Sequence, residues 1–203
     1  MAISLQKGQK VDLTKGNAGL SKIMVGLGWD PVPTKGGGGL LGSLFGGGGS
    51  SNIDCDASVF MLNENDKIKS NQNIIYFGNL KSNDGSVTHT GDNLTGAGDG
   101  DDEQIMVDLH KIPANIQKLV FVVNIYDAVK RKQHFGMIQN AFIRVVDSAN
   151  GQELIHYNLT DNYSGQTSLI VGEIYRHGQD WKFAAVGNGT QDPGLRELAR
   201  RYQ

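Results

Sequence analysis

Apolar and polar residues alternate in short stretches along most of the chain, and this period of two predicts β-strands. Ile23, Val25 and Leu27 fall on one face of such a stretch, whereas Gly26 and Gly28 fall on the other. A glycine on a strand face permits close approach by another backbone, and we expect such a contact there. Many stretches of this kind, separated by turn signals, predict an all-β sandwich or barrel.

Two stretches predict strands that are buried on both faces. Residues 119–126 are almost wholly apolar, which is typical of a central strand. In residues 53–62, one face is apolar throughout. The other face is polar in its N-terminal part and apolar in its C-terminal part. The first face carries Ile53, Cys55, Ala57, Val59 and Met61, and the second carries Asp54, Asp56 and Ser58, followed by Phe60 and Leu62.

The only clear helix signal lies near the end of the sequence. Asp192 is a residue type that caps helix N-termini, and Pro193 suits the first helical position. Leu195, Leu198 and Ala199 then form an apolar stripe at helical spacing. We therefore expect a β-sandwich of short strands with a short C-terminal helix.

A glycine-rich segment over residues 35–50 interrupts the strand pattern. Four glycines at 36–39 and four at 46–49 bracket the mostly apolar residues 40–45. Such ends behave as flexible linkers, so we predict a flexible insertion, with an exposed apolar finger that contacts a partner or membrane surface as the alternative. Residues 1–203 otherwise predict a single domain, because this length can bury a full core.

Composition excludes several classes of protein. The formal net charge is −2, with 19 Lys and Arg against 21 Asp and Glu, which argues against a general nucleic-acid binder. The single cysteine, Cys55, excludes an internal disulfide and a thiolate zinc site. The sequence has neither a secretory signal pattern nor an apolar run close to the ~20 residues of a membrane span. We therefore predict a soluble, cytoplasmic protein without a transmembrane segment.

Acidic residues cluster between Gly91 and Glu103. Carboxylates this close together repel each other unless a cation lies between them, and the intervening glycines let the backbone turn its carbonyls inward. Calcium takes ~6–8 oxygen ligands with loose geometry, which suits such a loop, although a solvated acidic turn is the alternative. The loop carries the acids Asp92, Asp99, Asp101, Asp102 and Glu103, and the neutral oxygen donors Asn93 and Thr95.

A second acidic element lies upstream, at Asp54 and Asp56. These residues are two apart, which puts both on one face of a strand. The loops of a sandwich gather at its two ends, so the acidic loop and the start of this strand could meet at one end. We predict a calcium site for two ions, built from both elements.

Several long motifs resemble the TerD family of bacterial tellurite-resistance and stress proteins. They occur in the family's order and cover nearly the whole chain, and the glycine-rich insertion is the one departure. The motifs occupy residues 3–8, 25–30, 54–60, 91–103, 135–136, 140–145 and 172–176.

The resemblance implies a calcium-binding β-sandwich without established enzymatic activity. It also implies a role in tolerance of tellurite and other stresses, in a membrane-associated complex of related stress proteins peripheral at the inner membrane. Leu94 and Gly96 would contribute carbonyl oxygens to the ions. The family's acidic positions map onto Asp54, Asp56, Asp92, Asn93, Asp99, Asp101, Asp102 and Glu103.

A metal-dependent phosphoesterase is the alternative function. Clustered carboxylates can hold two magnesium ions for phosphoryl chemistry, and His89 is the nearby candidate for a base. A lone histidine is more often structural, and the chain shows no serine-centred nucleophile motif. The basic cluster at residues 130–132 is interpreted as a solvated loop, with binding of an anionic partner as its alternative.

Overall fold

The structure is a computed structural model that describes residues 2–17, 19–32, 53–91 and 100–203. The described residues form twelve strands in two six-stranded sheets, which confirms the predicted all-β sandwich. The strands are β1 (Ile3–Leu5), β2 (Lys10–Asp12), β3 (Lys22–Pro31), β4 (Cys55–Leu62), β5 (Ile74–Ile75), β6 (Val87–His89), β7 (Glu103–Asp108), β8 (Lys118–Ile125), β9 (Ile138–Asp147), β10 (Glu153–Asn158), β11 (Ser168–His177) and β12 (Asp180–Thr190). The α-helices are α1 (Ala128–Arg131) and α2 (Leu195–Ala199), and 3-10 turns occupy Asn71–Asn73, Phe135–Met137 and Arg200–Tyr202.

The strand order combines pairs of sequence neighbours with pairs of strands that are distant in sequence. The first sheet has the order β1-β10-β9-β3-β7-β6, and the second has the order β2-β12-β11-β8-β4-β5. The described strand pairs are antiparallel except for β1 with β10. The first two strands of the chain therefore lie at the edges of different sheets.

The main core lies between the two sheets and follows the predicted alternation. The apolar face of β3, with Ile23, Val25 and Leu27, is almost completely buried there. The predicted inner face of β4, from Cys55 to Met61 in steps of two, belongs to the same cluster. Both sheets therefore contribute the faces that their sequences predict.

A second apolar cluster covers the outer face of the second sheet. It joins Phe60 and Leu62 of β4 to Val120 and Val122 of β8, under the buried Leu198 of α2. This cluster explains why β4 and β8 are apolar on both faces, as the sequence predicts.

The C-terminal helix begins two residues later than the sequence predicts. Gly194 occupies its N-cap position, and no side chain caps it. Asp192 instead accepts a hydrogen bond from Arg201 Nε at 2.6 Å, and its backbone carbonyl accepts the hydroxyl groups of Thr167 and Ser168. These contacts fasten Asp192 to β11 and its preceding turn, so the helix starts only beyond it.

Strand directions bring both acidic elements to one end of the sandwich, which we call the acidic end. Leu27, near the end of β3, pairs with Glu103 at the start of β7. Asp56, near the start of β4, pairs with Asn124 near the end of β8.

The predicted flexible insertion at 35–50 lies outside the described residues. No helix of the described chain is long and apolar enough to cross a membrane.

Candidate metal centre

Two buried side chains fasten the acidic loop to the edge of β4. The Ala57 backbone N–H donates to Glu103 Oε2 at 2.5 Å, and His89 Nε2 lies 3.2 Å from the Ala57 carbonyl oxygen and 3.3 Å from Glu103 Oε2. β5 pairs with β4 only at Val59 and Phe60, so no strand of the described chain pairs with this edge of β4 at Ala57. The side chains from β6 and β7 replace the hydrogen bonds that a further strand would make.

The contacts of His89 fix its tautomer. The Gly91 backbone N–H donates to Nδ1 at 3.1 Å, so the neutral ring carries its proton on Nε2, facing Ala57 and Glu103. His89 ends β6 and Glu103 begins β7, so the two residues that flank the acidic loop both contact β4. This arrangement gives His89 a structural position, because both ring nitrogens face groups of the fold.

Four of the predicted carboxylates act electrostatically on one buried side chain, the thiol of Cys55. The pKa of this thiol is raised well above its ordinary value, first by burial and then by the negative charges of Asp56, Asp54, Glu103 and Asp102. The hydrogen bond from the Ala57 N–H to Glu103 and the strand pairing place the start of β7 and the start of β4 at the same end of the sandwich.

Asp102 lies where a negative charge is disfavoured. Its Oδ2 accepts the Trp29 backbone N–H at 2.7 Å, and its own N–H donates to the Leu27 carbonyl at 2.8 Å. Burial raises its pKa, the hydrogen bond from Trp29 opposes this, and the charges of Asp30 and Asp101 raise the pKa further. A cation beside Asp102 would therefore stabilise its ionised form. Asp30, which the sequence analysis does not include among the ligands, adds to the charge at this end.

Asp101 is directed to a different group from Asp102. Its Oδ1 accepts Arg144 Nε at 2.7 Å, and its Oδ2 accepts Arg144 Nη2 at 2.9 Å and Gln104 Nε2 at 3.0 Å. The Asp101 side chain is fully buried, and its hydrogen bonds are the main cause that raises the pKa of Arg144. Asp101 therefore neutralises a guanidinium on the outer face of the first sheet.

The predicted close contacts at Gly26 and Gly28 are present. A Cβ at Gly26 would lie 2.3 Å from the carboxylate carbon of Asp101, so a side chain covers this glycine where the sequence led us to expect a backbone. A Cβ at Gly28 would lie 2.4 Å from the Phe142 ring and 2.8 Å from the Gly100 carbonyl oxygen. Both glycines therefore make room for residues at the acidic end.

The two upstream acids have different neighbours. Asp54 lies 3.7 Å from Arg131 Nη1, and the Arg131 guanidinium lies 5.1 Å from the centre of the Tyr126 ring. Asp56 Oδ2 accepts Asn124 Nδ2 at 3.3 Å, and the Asn124 amide oxygen is buried without a hydrogen-bond partner among the described residues. Asn124 has no acidic neighbour in the sequence that would mark it, because only the pairing of β4 with β8 brings it to Asp56.

The donor groups at the acidic end are the hard oxygens that calcium and magnesium prefer. They comprise carboxylates and the Asn124 amide, whereas His89 faces β4. Within the four described ranges, no three His, Cys, Asp or Glu side chains form a metal-binding group by themselves. The remaining predicted ligands, Asp92, Asn93, Leu94, Gly96 and Asp99, lie outside the described residues.

Comparison with known proteins identifies close relatives of the whole chain. The TerD domain family matches residues 1–202. Stress response protein SCP2 of Bacillus subtilis (strain 168) is 69% identical over 202 residues, covering 100% of both chains. Tellurium resistance protein TerD of Serratia marcescens is 43% identical over 202 residues, covering 100% of this chain and 97% of its own. The crystal structure of the unknown function protein SAV2460 shares the fold with a TM-score of 0.64 at 21% identity, covering 89% of this chain and 95% of that one.

Proposed function

Because the chain belongs to the TerD family, as its motifs predict, we propose that it is a calcium-binding stress-response protein. In this proposal it acts by binding metal and assembling with related stress proteins, in the cytoplasm at the inner membrane, rather than by catalysis. The relatives named for stress response and tellurium resistance support the stress role. The acidic end supports the metal.

The observation that carries the calcium proposal is the contact between the start of β7 and β4, where the Ala57 N–H donates to Glu103 Oε2, which brings Asp54, Asp56, Asp102 and Glu103 to one end of the sandwich. Four like charges in a partly buried place repel each other and lose hydration, and both effects disfavour the ionised groups. A divalent cation among them offsets both effects, and calcium tolerates the irregular ligand geometry that loops provide. Calcium would therefore stabilise the grouping of these carboxylates at the acidic end.

Different acids would have different roles in this site. We assign Asp54, Asp56 and Asp102 to the ligands, and Glu103 to fastening the loop, because its Oε2 contacts Ala57 and His89. We assign Asp101 to Arg144 and leave it out of the ligand set. The two-ion stoichiometry and the ligands between residues 92 and 99 stay predictions from the sequence.

Calorimetric titration of the chelator-stripped protein with calcium, repeated with magnesium, tests this proposal. We expect saturable calcium binding with a clear preference over magnesium, and a rise in the midpoint of thermal unfolding with free calcium. Asp102→Asn keeps an oxygen acceptor for the Trp29 N–H but removes the charge, so we expect at least tenfold weaker calcium binding.

Asp101→Asn is the matched control, since it changes the neighbouring carboxylate in the same way. We expect it to lower the unfolding midpoint while leaving the increment produced by calcium intact. Absence of a calcium heat, together with an unchanged unfolding midpoint, would overturn the proposal. Equal loss of calcium binding in both variants would return Asp101 to the ligand set.

The phosphoesterase alternative predicts a different result from the same protein. A base must reach the attacking water, whereas the ring nitrogens of His89 face Gly91, Ala57 and Glu103. This geometry supports a binding role. Phosphate-ester turnover with magnesium, manganese or calcium that disappears in Asp102→Asn would contradict the non-catalytic proposal, and we expect none.

A further inference from the structure

A short basic and apolar projection stands beside the carboxylates at the acidic end. It comprises residues 126–132, that is, α1 with its flanking residues, and we call it the α1 projection. Val129 is 67% exposed and Tyr126 is 44% exposed, although both are large apolar side chains. The Lys130 side chain is 84% exposed, and Lys132 is also exposed. Apolar and cationic groups are thus presented together to solvent.

The base of the α1 projection is rigidly attached to the sandwich. Ala128 is completely buried in the main core, and its carbonyl accepts the Gln133 N–H at 2.9 Å. Arg131 lies over the Tyr126 ring and 3.7 Å from Asp54. The buried residue and the stacked pair therefore fix the orientation in which Val129 and Lys130 face outward.

The charges of the α1 projection select an anionic partner. Lys130, Arg131 and Lys132 outweigh Asp127, which leaves a net charge of +2 on seven residues of a chain whose net charge is −2. An anionic surface that also offers an apolar layer matches both kinds of side chain. Lipid headgroups provide this combination, because basic residues bind anionic headgroups while a tyrosine enters the interface. A nucleic-acid backbone would not bury the exposed Val129.

We propose that the α1 projection docks the protein on an anionic lipid surface. Val129 and Tyr126 enter the headgroup layer, and Lys130 and Lys132 contact the anionic headgroups. This docking surface stands on the exposure and charge of residues 126–132 alone.

A second consequence rests on the proposed calcium function. Asp54 lies beside Arg131, so the carboxylates of the acidic end come close to any surface that the α1 projection touches. Their negative charge repels anionic lipid, and a bound divalent cation reduces this repulsion. Docking should therefore become tighter in the presence of calcium.

Sedimentation of the full chain with vesicles of phosphatidylcholine and phosphatidylglycerol, in calcium or in chelator, tests the docking surface. Each basic residue near an anionic membrane strengthens binding by about fivefold, so we expect Lys130→Glu/Lys132→Glu to bind more than about tenfold less tightly. Val129→Ser should weaken binding by roughly tenfold, because it removes two buried methyl groups. Phosphatidylcholine vesicles should bind none of these proteins detectably.

Lys15→Glu/Lys111→Glu is the matched control, because it makes the same change in net charge with two exposed lysines at the end of the sandwich opposite the acidic end. We expect it to bind within about twofold of the wild type, since charges beyond a Debye length are screened. Equal loss in both double variants would mean that only net charge matters and would overturn the assignment. The assignment is also wrong if duplex DNA displaces the vesicles, because the projection is then a general polyanion site.

The comparison of vesicle binding in calcium and in chelator separates the docking surface from the calcium site. If the double variant at residues 130 and 132 loses binding that calcium does not influence, the docking surface stands and the coupling to the metal centre is wrong. If calorimetry detects calcium but no protein sediments with anionic vesicles under either condition, the metal centre stands and the docking surface is wrong.

Discussion

Gly26→Ala provides the sharpest test of the two roles assigned to neighbouring carboxylates. The added Cβ would lie 2.3 Å from the Asp101 carboxylate carbon, and Asp101 is held in place by hydrogen bonds from Arg144 and Gln104. A short side chain with three such contacts cannot move away without breaking them. We therefore expect the methyl group to expel Asp101 from Arg144.

The size of the effect follows from the broken contacts. Each hydrogen bond to a charged group contributes roughly 1.5–3 kcal/mol when it is removed from a buried site. The Arg144 side chain is 30% exposed, so water recovers part of this energy. Replacing a strand glycine by alanine itself returns roughly 0.5–1 kcal/mol. We expect a net loss of about 2–3 kcal/mol in the free energy of unfolding, which for a chain of this size lowers the unfolding midpoint by about 4–12 °C.

Equilibrium urea unfolding of a double-mutant cycle provides the measurement. In an Asp101→Ala background the clash no longer exists, so Gly26→Ala should be neutral or slightly stabilising. Gly19→Ala is the control, because a Cβ at Gly19 meets no atom within 4 Å and the residue lacks a left-handed backbone. If Gly26→Ala is equally destabilising with and without Asp101, the explanation through the Arg144 pair is wrong.

Three further predictions concern the acidic end and the tail. The pKa of Asp102 is raised above 3.8 in the folded state, so the folded protein binds this proton more tightly than the unfolded chain, and the residue's contribution to stability falls as pH rises through the folded-state pKa. Calcium-free Asp102→Asn should therefore be at least as stable as the wild type at pH 7 in urea unfolding, and clear destabilisation would contradict this. Burial and the four carboxylates raise the pKa of Cys55, so a thiol reagent at pH 8 should label it only after denaturant is added, and rapid labelling of the native protein would refute its burial. Leu198→Ala should destabilise the protein by about 2–5 kcal/mol, because Leu198 is completely buried over the outer face of β4 and β8, and a loss below 1 kcal/mol would show that this cluster contributes little.

The sequence predicts the architecture well because the strand period is local. The inner face of β4 and the two buried faces of β8 follow from alternation within single strands. The start of α2 could not be predicted in the same way, since Asp192 is also a good residue for contacts with β11 and the turn before it. Local composition does not decide between two favourable uses of the same side chain.

The grouping of acids at the acidic end could be predicted, but the contacts of the individual carboxylates could not. The acidic composition and the two-residue spacing identify Asp54, Asp56 and the start of β7. However, Asp101 and Asp102 look equivalent in the sequence, and only the pairing of β3 with β9 brings Arg144 to Asp101. Likewise, Glu103 can accept the Ala57 N–H because β5 pairs with β4 only at Val59 and Phe60, and the sequence does not show where this pairing stops.

The placement of the first two strands has a consequence for the order of folding. β1 pairs with β10 through Ile3 and Ile155, and β2 pairs with β12 through Val11 and Phe183, so neither strand finds its partner nearby in the sequence. Closing such long loops is entropically unfavourable until the rest of the sandwich holds the partner strands in place. The N-terminal strands should therefore dock last, and in native-state hydrogen exchange their amides should open at a lower free energy than those of β8. β1 and β2, which lie at the edges of the two sheets, would then be the first strands to detach, while the central strands remain assembled.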